Sequence, residues 1–124
     1  MPAALLAEQT KPMSRQAFSA YLTVQNYIAE LLSKGLTAAQ QQERLAILAE
    51  FCEFVGQTPD QMVAEIFDVG TGKYRKRTFY SDRVKEFSAR IEGTWSARTA
   101  RGNVIRSFFI ANGRRLPNEK PDWL

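Results

Sequence analysis

The residues of this sequence that could do chemistry are cationic and hydrogen-bonding side chains, and they are concentrated in its second half. Between Lys73 and Arg115 there are twelve basic residues against three acids, and nine of the twelve are arginines. The planar guanidinium of arginine matches a phosphate group, which it can contact with two parallel hydrogen bonds. A solvated charged surface is the plainer interpretation of this zone. The concentration of arginine favours a surface that binds a phosphate backbone.

Catalysis and metal binding have little support in the sequence. It contains no histidine and one cysteine, so the commonest acid–base catalyst is missing and a zinc cluster cannot be assembled. The Gly70–Lys73 run lacks the spacing of a phosphate-binding P-loop, and the glycine- and serine-centred motifs of other enzymes are absent. We therefore predict no catalytic residue, no metal site and no cofactor. On its own the chain is expected not to be an enzyme.

The cysteine and the apolar pattern bear on the compartment. Cys52 lies on the inner side of a helical pattern and is expected to be a small buried apolar residue. A single cysteine fits a reducing compartment, and no apolar run reaches the roughly 18 residues that span a bilayer. We expect a cytoplasmic protein that makes no membrane contact.

The element that must position the arginines is a helix between Gly93 and Gly113, with Ser96 as its predicted N-cap. On a helical wheel, one face of this helix is expected to be buried and the opposite face is small, polar and positive, which suits a nucleic-acid groove. The buried face carries Ala100, Val104, Ile105, Phe108 and Ala111, with Phe109 at its border; the polar face carries Thr99, Gly102, Asn103 and Arg106. Because glycine costs a helix about 1 kcal/mol relative to alanine, Gly102 indicates close approach of another backbone, either a neighbouring helix or a DNA strand.

The rest of the chain also has a helical period. The predicted helices run from Ser14 to about Ser33, from the cap Thr37 to Val55, from the cap Thr58 to about Asp68, and from about Thr78 or Ser81 to Gly93. No segment alternates for long enough to predict a strand. The predicted fold is all-α, with four main helices and one short helix arranged as two packed helical hairpins. Residues 1–13 form a predicted flexible arm, 14–117 the domain, and 118–124 a linker in which Trp123 could anchor.

Two parts of the sequence resemble a known family. Ser96-Ala97-Arg98-Thr99, followed by Ile105-Arg106-Ser107-Phe108-Phe109 and Leu116-Pro117, resembles the last helix of the N-terminal core-binding domain of tyrosine recombinases and phage integrases. Lys34-Gly35-Leu36-Thr37, followed by Leu45, Leu48, Phe51-Cys52 and Phe54, is similar to the first hairpin of that domain. The resemblance covers residues 14–117. It implies a SAM-like bundle that grips one side of duplex DNA.

The same resemblance implies partners and contacts. A separate C-terminal domain of the parent protein would carry the Arg-His-Arg-Tyr catalytic residues, residues 118–124 would begin the linker to it, and the isolated domain would be monomeric and associated with the nucleoid. The implied DNA contacts are Thr37, Gln40 and Gln41 at the start of the second helix, and Ser96, Arg98, Thr99, Arg101, Asn103 and Arg106 on the last. The basic run Lys73, Arg75, Lys76 and Arg77 lies in a segment longer than the turn of the family. It could be a phosphate clamp or a solvated loop.

Two other functions fit the same residues. One is a helical protein-interaction module whose basic face meets an acidic partner. The other is an unrelated helical DNA-binding regulator, such as a helix-turn-helix protein, which would be expected to dimerise.

Overall fold

A computed structural model of the chain describes residues 15–90 and 92–117. The predicted arm, the predicted cap Ser14, Ile91 and the predicted linker with Trp123 lie outside the described residues. The all-α prediction is confirmed, since the described residues form a helical bundle that carries one small sheet. Its helices are α1 (Arg15–Ser19), α2 (Leu22–Ser33), α3 (Ala38–Val55), α4 (Pro59–Ile66), α5 (Arg77–Ala89) and α6 (Trp95–Ala111).

Two helix starts form as their local sequence predicts. At the start of α3, the Thr37 hydroxyl accepts the Gln40 N–H at 3.2 Å, and the Gln40 side chain accepts the Thr37 N–H at 2.9 Å. Thr58 and Gln61 repeat this capping box at the start of α4. Each box satisfies two backbone N–H groups that the helix itself cannot. These starts depend on residues within one turn, which is why a sequence pattern predicts them.

The first predicted helix is interrupted at Ala20 and Tyr21, which separate α1 from α2. The buried side of α2 carries Val24, Tyr27 and Leu31, together with Thr23. The helical period that predicts this helix includes Leu22, Gln25 and Leu32, but these three side chains are exposed. The rotation of α2 is set by a contact from α4: the Asp60 carboxylate accepts the Thr23 N–H at 3.1 Å and the Thr23 hydroxyl at 2.6 Å.

A β-hairpin that the sequence did not predict joins α4 to α5. Its strands β1 (Phe67–Asp68) and β2 (Lys73–Tyr74) are antiparallel, with Phe67 opposite Tyr74 and Asp68 opposite Lys73. Gly72, at φ 68°, lies in the turn. Two residues per strand are too few to show an alternating pattern, so α4 was expected to continue to Asp68, whereas it ends at Ile66.

The central element is α6, which packs against α2, α3 and α5. α5 and α6 form an antiparallel hairpin, with Tyr80 beside Phe109 near one end. α2 packs mainly on α6 and α4 rather than on α3. The two long helices α2 and α3 are therefore held together through other elements of the bundle. The core between these helices is rich in fully buried aromatic side chains, which are Tyr27, Phe51, Tyr80, Phe108 and Phe109.

The buried face of α6 is rotated from the predicted one. Gly102 is buried, whereas Ala100 is exposed and Val104 is half-buried. A Cβ atom on Gly102 would lie 2.5 Å from Ser88 Oγ, so the element that approaches this glycine is the neighbouring helix α5, through its side chains. The predicted N-cap is also wrong: Thr94 caps α6, and its hydroxyl accepts the Ala97 N–H at 3.2 Å.

Candidate nucleic-acid interface

The predicted contact residues of α6 differ in how much they present to solvent. Ser96 and Asn103 are exposed, while Arg98, Thr99 and Arg106 are half-buried. The Thr99 hydroxyl is enclosed and has no hydrogen-bond partner among residues 15–90 and 92–117. Of this face, Asn103 is therefore the polar side chain best placed to meet an external ligand.

Arg101 is engaged inside the bundle. Its guanidinium lies over the Phe87 ring, 4.1 Å from the ring centre, and it forms an ion pair with Glu50. The side chain is 19% exposed. The two contacts of the guanidinium therefore hold α6 against α3 and α5, and we do not assign Arg101 to a ligand.

The residues at the start of α3 have local structural roles and remain at the surface. Thr37 and Gln40 form the capping box, and Gln41 donates from Nε2 to the Leu36 carbonyl at 3.1 Å. Gln40 is exposed, and its Nε2 group makes no hydrogen bond among the described residues. That amide can still donate to an external acceptor.

A groove of about 360 Å³ brings Asn103 close to this helix start. We call it the α2–α3–α6 groove. The groove runs between two cations, Lys34 and Arg44, and its lining is Tyr27, Glu30, Leu31, Lys34, Leu36, Arg44, Ala100, Asn103, Val104 and Ser107. Lys34 pairs with Glu30 at 3.6 Å, and Arg44 donates to the Gln40 carbonyl at 3.4 Å. Arg44 was not among the predicted contacts, although it lies four residues after Gln40 and so shares its helix face.

The predicted basic run, Lys73 to Arg77, lies at one end of the molecule together with Arg115. We call Lys73, Arg75, Lys76, Arg77 and Arg115 the basic hairpin surface. Two carboxylates face these five cations: Asp68 is 3.7 Å from Arg75, and Glu65 is 3.6 Å from Lys76. Within the described ranges, Lys73 and Arg115 make no ion pair. The surface therefore keeps a net positive charge after its ion pairs form.

The backbone inside this surface also favours anions. Lys76 adopts a left-handed conformation, φ 55°, which is uncommon for a residue other than glycine. It is the N-cap of α5, and its side chain makes no cap hydrogen bond. The first turn of α5 thus presents uncapped N–H groups beside Lys76 and Arg77, where a negative charge is stabilised.

Two arginines of the predicted interface also hold the segment that leaves the bundle after α6. Arg77 donates from Nε to the Arg115 carbonyl at 2.9 Å, and Arg106 donates to the Pro117 carbonyl at 3.2 Å. Leu116, between these two carbonyls, is buried. The sequence did not predict these contacts, because Arg114–Pro117 has no periodic pattern.

Other kinds of site find no support in the described part of the chain. Cys52 is buried, and burial followed by the nearby Glu53 carboxylate raises the pKa of its thiol to about 12, so it is a poor nucleophile. Residues 15–90 and 92–117 contain no group of three His, Cys, Asp or Glu side chains that could hold a metal. None of the described helices combines the length and apolar character needed to cross a membrane.

No protein-family model, curated protein or solved structure matches the chain. The fold and the surface define an all-α bundle that presents a basic β-hairpin and, along its central helix, a groove lined by both apolar and polar side chains.

Proposed function

We propose that this chain binds duplex DNA, as the core-binding domain of a tyrosine recombinase or phage integrase whose other domain would cleave the strands. The basic hairpin surface is the observation that carries DNA binding: five cations converge there against two carboxylates. The narrower family proposal is supported by the sequence resemblance over 14–117. An association with the nucleoid would follow from DNA binding.

Binding would be mainly electrostatic. Lys73 and Arg115 can meet phosphates directly, and Arg75 can exchange its exposed ion pair for a phosphate at little cost, since such pairs contribute about 0–1 kcal/mol. Each phosphate neutralised releases counterions to the solution. Affinity therefore depends steeply on salt.

Sequence readout would fall to the α2–α3–α6 groove. Asn103 is exposed there, and an asparagine amide can pair with the major-groove edge of adenine. Arg106 could pair with guanine only after it releases the Pro117 carbonyl. We therefore place Asn103 ahead of Arg106 as a base contact.

The test is a salt titration of duplex binding by fluorescence anisotropy. If six to eight phosphates are neutralised, log K falls against log salt with a slope of about −5 to −7. The variant Lys73→Gln should make the slope shallower by about one. Arg90→Gln is the matched control, because Arg90 lies at the opposite end of α5, over the Phe54 ring. Absence of duplex binding at about 50 mM salt would refute the proposal.

A protein-interaction module remains the second candidate, and one observation favours it. Val69, in the turn of the β-hairpin, is 84% exposed beside the cations, which is an apolar and basic combination that an acidic protein partner could cover. This function requires negligible duplex binding, so the same titration separates the two. Sedimentation separates the third candidate, since a helix-turn-helix regulator should dimerise while a core-binding domain should stay monomeric.

A further inference from the structure

Aromatic residues alternate with the cations of the basic hairpin surface and remain exposed. In the run Lys73-Tyr74-Arg75-Lys76-Arg77-Thr78-Phe79, Tyr74 is 49% exposed and Phe79 is 45% exposed. Most aromatic side chains of this bundle lie in its core, where Phe51, Phe108 and Phe109 are fully buried. The β-hairpin and the first turn of α5 therefore hold two aromatic rings at the surface among the cations of the basic hairpin surface.

Neighbouring groups fix the orientation of both rings. The Arg77 guanidinium lies 4.7 Å from the centre of the Tyr74 ring, and Phe67 packs edge-on against that ring at 5.2 Å. Arg83 lies 5.3 Å from the centre of the Phe79 ring, and Tyr80 packs edge-on against it at 5.1 Å. Each ring is therefore contacted by a guanidinium and by a second ring, and the Lys76 ammonium also lies 5.9 Å from the centre of the Phe79 ring, while about half of each residue stays open to solvent.

An undistorted duplex offers an exposed aromatic ring no base face to stack on, because its bases are stacked on one another and it presents phosphates and base edges. A single strand offers both parts of the surface a partner. Its phosphates suit the cations, and each unpaired base has a flat face that stacks on an aromatic ring.

We propose that the basic hairpin surface binds single-stranded DNA, with Tyr74 and Phe79 stacking on two unpaired bases and Lys73, Arg75 and Arg115 contacting the intervening phosphates. This inference rests on the proposed function, because it assigns a strand form to the same surface. Duplex phosphates would meet the same cations without engaging the rings, and an unpaired segment would add the two stacking contacts.

The experiment measures anisotropy of a labelled oligothymidylate of about ten nucleotides and of a duplex of equal length. The variants Tyr74→Leu and Phe79→Leu keep an apolar side chain and remove the stacking face. Each should weaken single-strand binding by about fivefold or more and leave duplex binding unchanged. Tyr74→Phe keeps the ring and should restore the affinity.

Trp95→Leu is the matched control, since Trp95 is also exposed but lies at the other end of α6. It should leave single-strand affinity unchanged, and circular dichroism should show the same helix content in every variant. Wild-type affinity for oligothymidylate in both Tyr74→Leu and Phe79→Leu would overturn the proposal, as would binding to oligouridylate about tenfold tighter than to oligothymidylate.

The two proposals fail separately. Duplex binding with a single-strand affinity that is indifferent to Tyr74 and Phe79 removes this inference and leaves the proposed function standing. If single-strand binding depends on Tyr74 and Phe79 but no duplex binding is found, this inference stands and the proposed function is refuted.

Discussion

Gly102 is the residue at which α5 and α6 approach most tightly. A Cβ atom there would lie 2.5 Å from Ser88 Oγ and 3.6 Å from Val84 Cγ1. The Ser88 hydroxyl is buried and donates to the Val84 carbonyl at 2.7 Å, so it cannot swing away without losing that hydrogen bond. We expect Gly102→Ala to destabilise the bundle by about 1–2 kcal/mol in urea unfolding, although alanine favours a helix by about 1 kcal/mol.

Removing the obstructing hydroxyl supplies the control. In a Ser88→Ala background, the Gly102→Ala change should no longer destabilise, because its nearest remaining contacts are at 3.6 Å. The gain in helix propensity of about 1 kcal/mol should then appear, and the double-mutant cycle should show a favourable coupling of about 2–3 kcal/mol. If Gly102→Ala alone stabilised the protein, α5 and α6 could not lie this close.

At the scale of elements, the N-terminus of α2 is capped by a side chain from α4. Its own N-cap residue, Tyr21, provides no side-chain cap, and Asp60 accepts both the Thr23 N–H and the Thr23 hydroxyl. We expect Asp60→Ala to cost about 1–3 kcal/mol in urea unfolding, since it leaves two donors unsatisfied at the contact between two helices.

Two further substitutions make this expectation specific. Asp60→Asn keeps an acceptor oxygen and should recover part of the loss. Asp82→Ala removes an exposed acid from α5, where the structure gives it no hydrogen bond or ion pair, and should change stability by less than about 0.5 kcal/mol. Equal losses in Asp60→Ala and Asp82→Ala would mean that Asp60 does not cap α2.

The Asp60 contact also shows why some elements could be predicted from the sequence and others could not. The starts of α3 and α4 depend on Thr37, Gln40, Thr58 and Gln61, which act within one turn. The rotation of α2 about its axis depends on the contact between Thr23 and Asp60, which are 37 positions apart in the sequence. The exposed side chains Leu22 and Leu32 give a different face of α2 an apolar pattern. A local sequence pattern cannot show which of these two faces of α2 is buried.

The candidate site was predictable to a similar extent. The concentration of cations and the exposed position of Asn103 could be inferred from residue type and spacing. The contacts of Arg101 with Glu50 and Phe87 could not be inferred in this way, because both partners belong to other helices. Arg115 follows the predicted end of the last helix, and its place beside Lys73–Arg77 depends on the return of the chain after α6, which no local pattern indicates.

At the scale of the whole molecule, the two candidate surfaces adjoin different parts of α6. The groove lies along the middle of the helix, from Ala100 to Ser107, and the hairpin adjoins its C-terminal end through Arg115. α6 has 17 residues and is therefore about 25 Å long. One turn of duplex DNA is about 34 Å, so both surfaces could lie along a single turn and its adjoining unpaired strand.

The bundle should lose stability in alkali, because burial raises the pKa of three acids in its core. These are the Tyr27 and Tyr80 phenols and the Cys52 thiol, whose pKa reaches about 12 against an ordinary value of 9.0. Above about pH 9 the unfolded chain loses the thiol proton while the folded chain keeps it, so stability is complete below that pH and falls as the pH rises toward 12.

The thiol contribution can be isolated by substitution. Between about pH 8 and about pH 10.5, Cys52 alone should account for a loss of about 2 kcal/mol in the free energy of unfolding. Urea titrations at both pH values should therefore show a smaller fall for Cys52→Ala than for the wild-type chain, whatever the variant loses at neutral pH from the missing sulfur. The two buried tyrosines contribute to the remaining fall, because burial raises their pKa values as well. An equal fall in both proteins would mean that the thiol ionises as readily in the folded chain as in the unfolded one, which a side chain packed between α3 and its neighbours could not do.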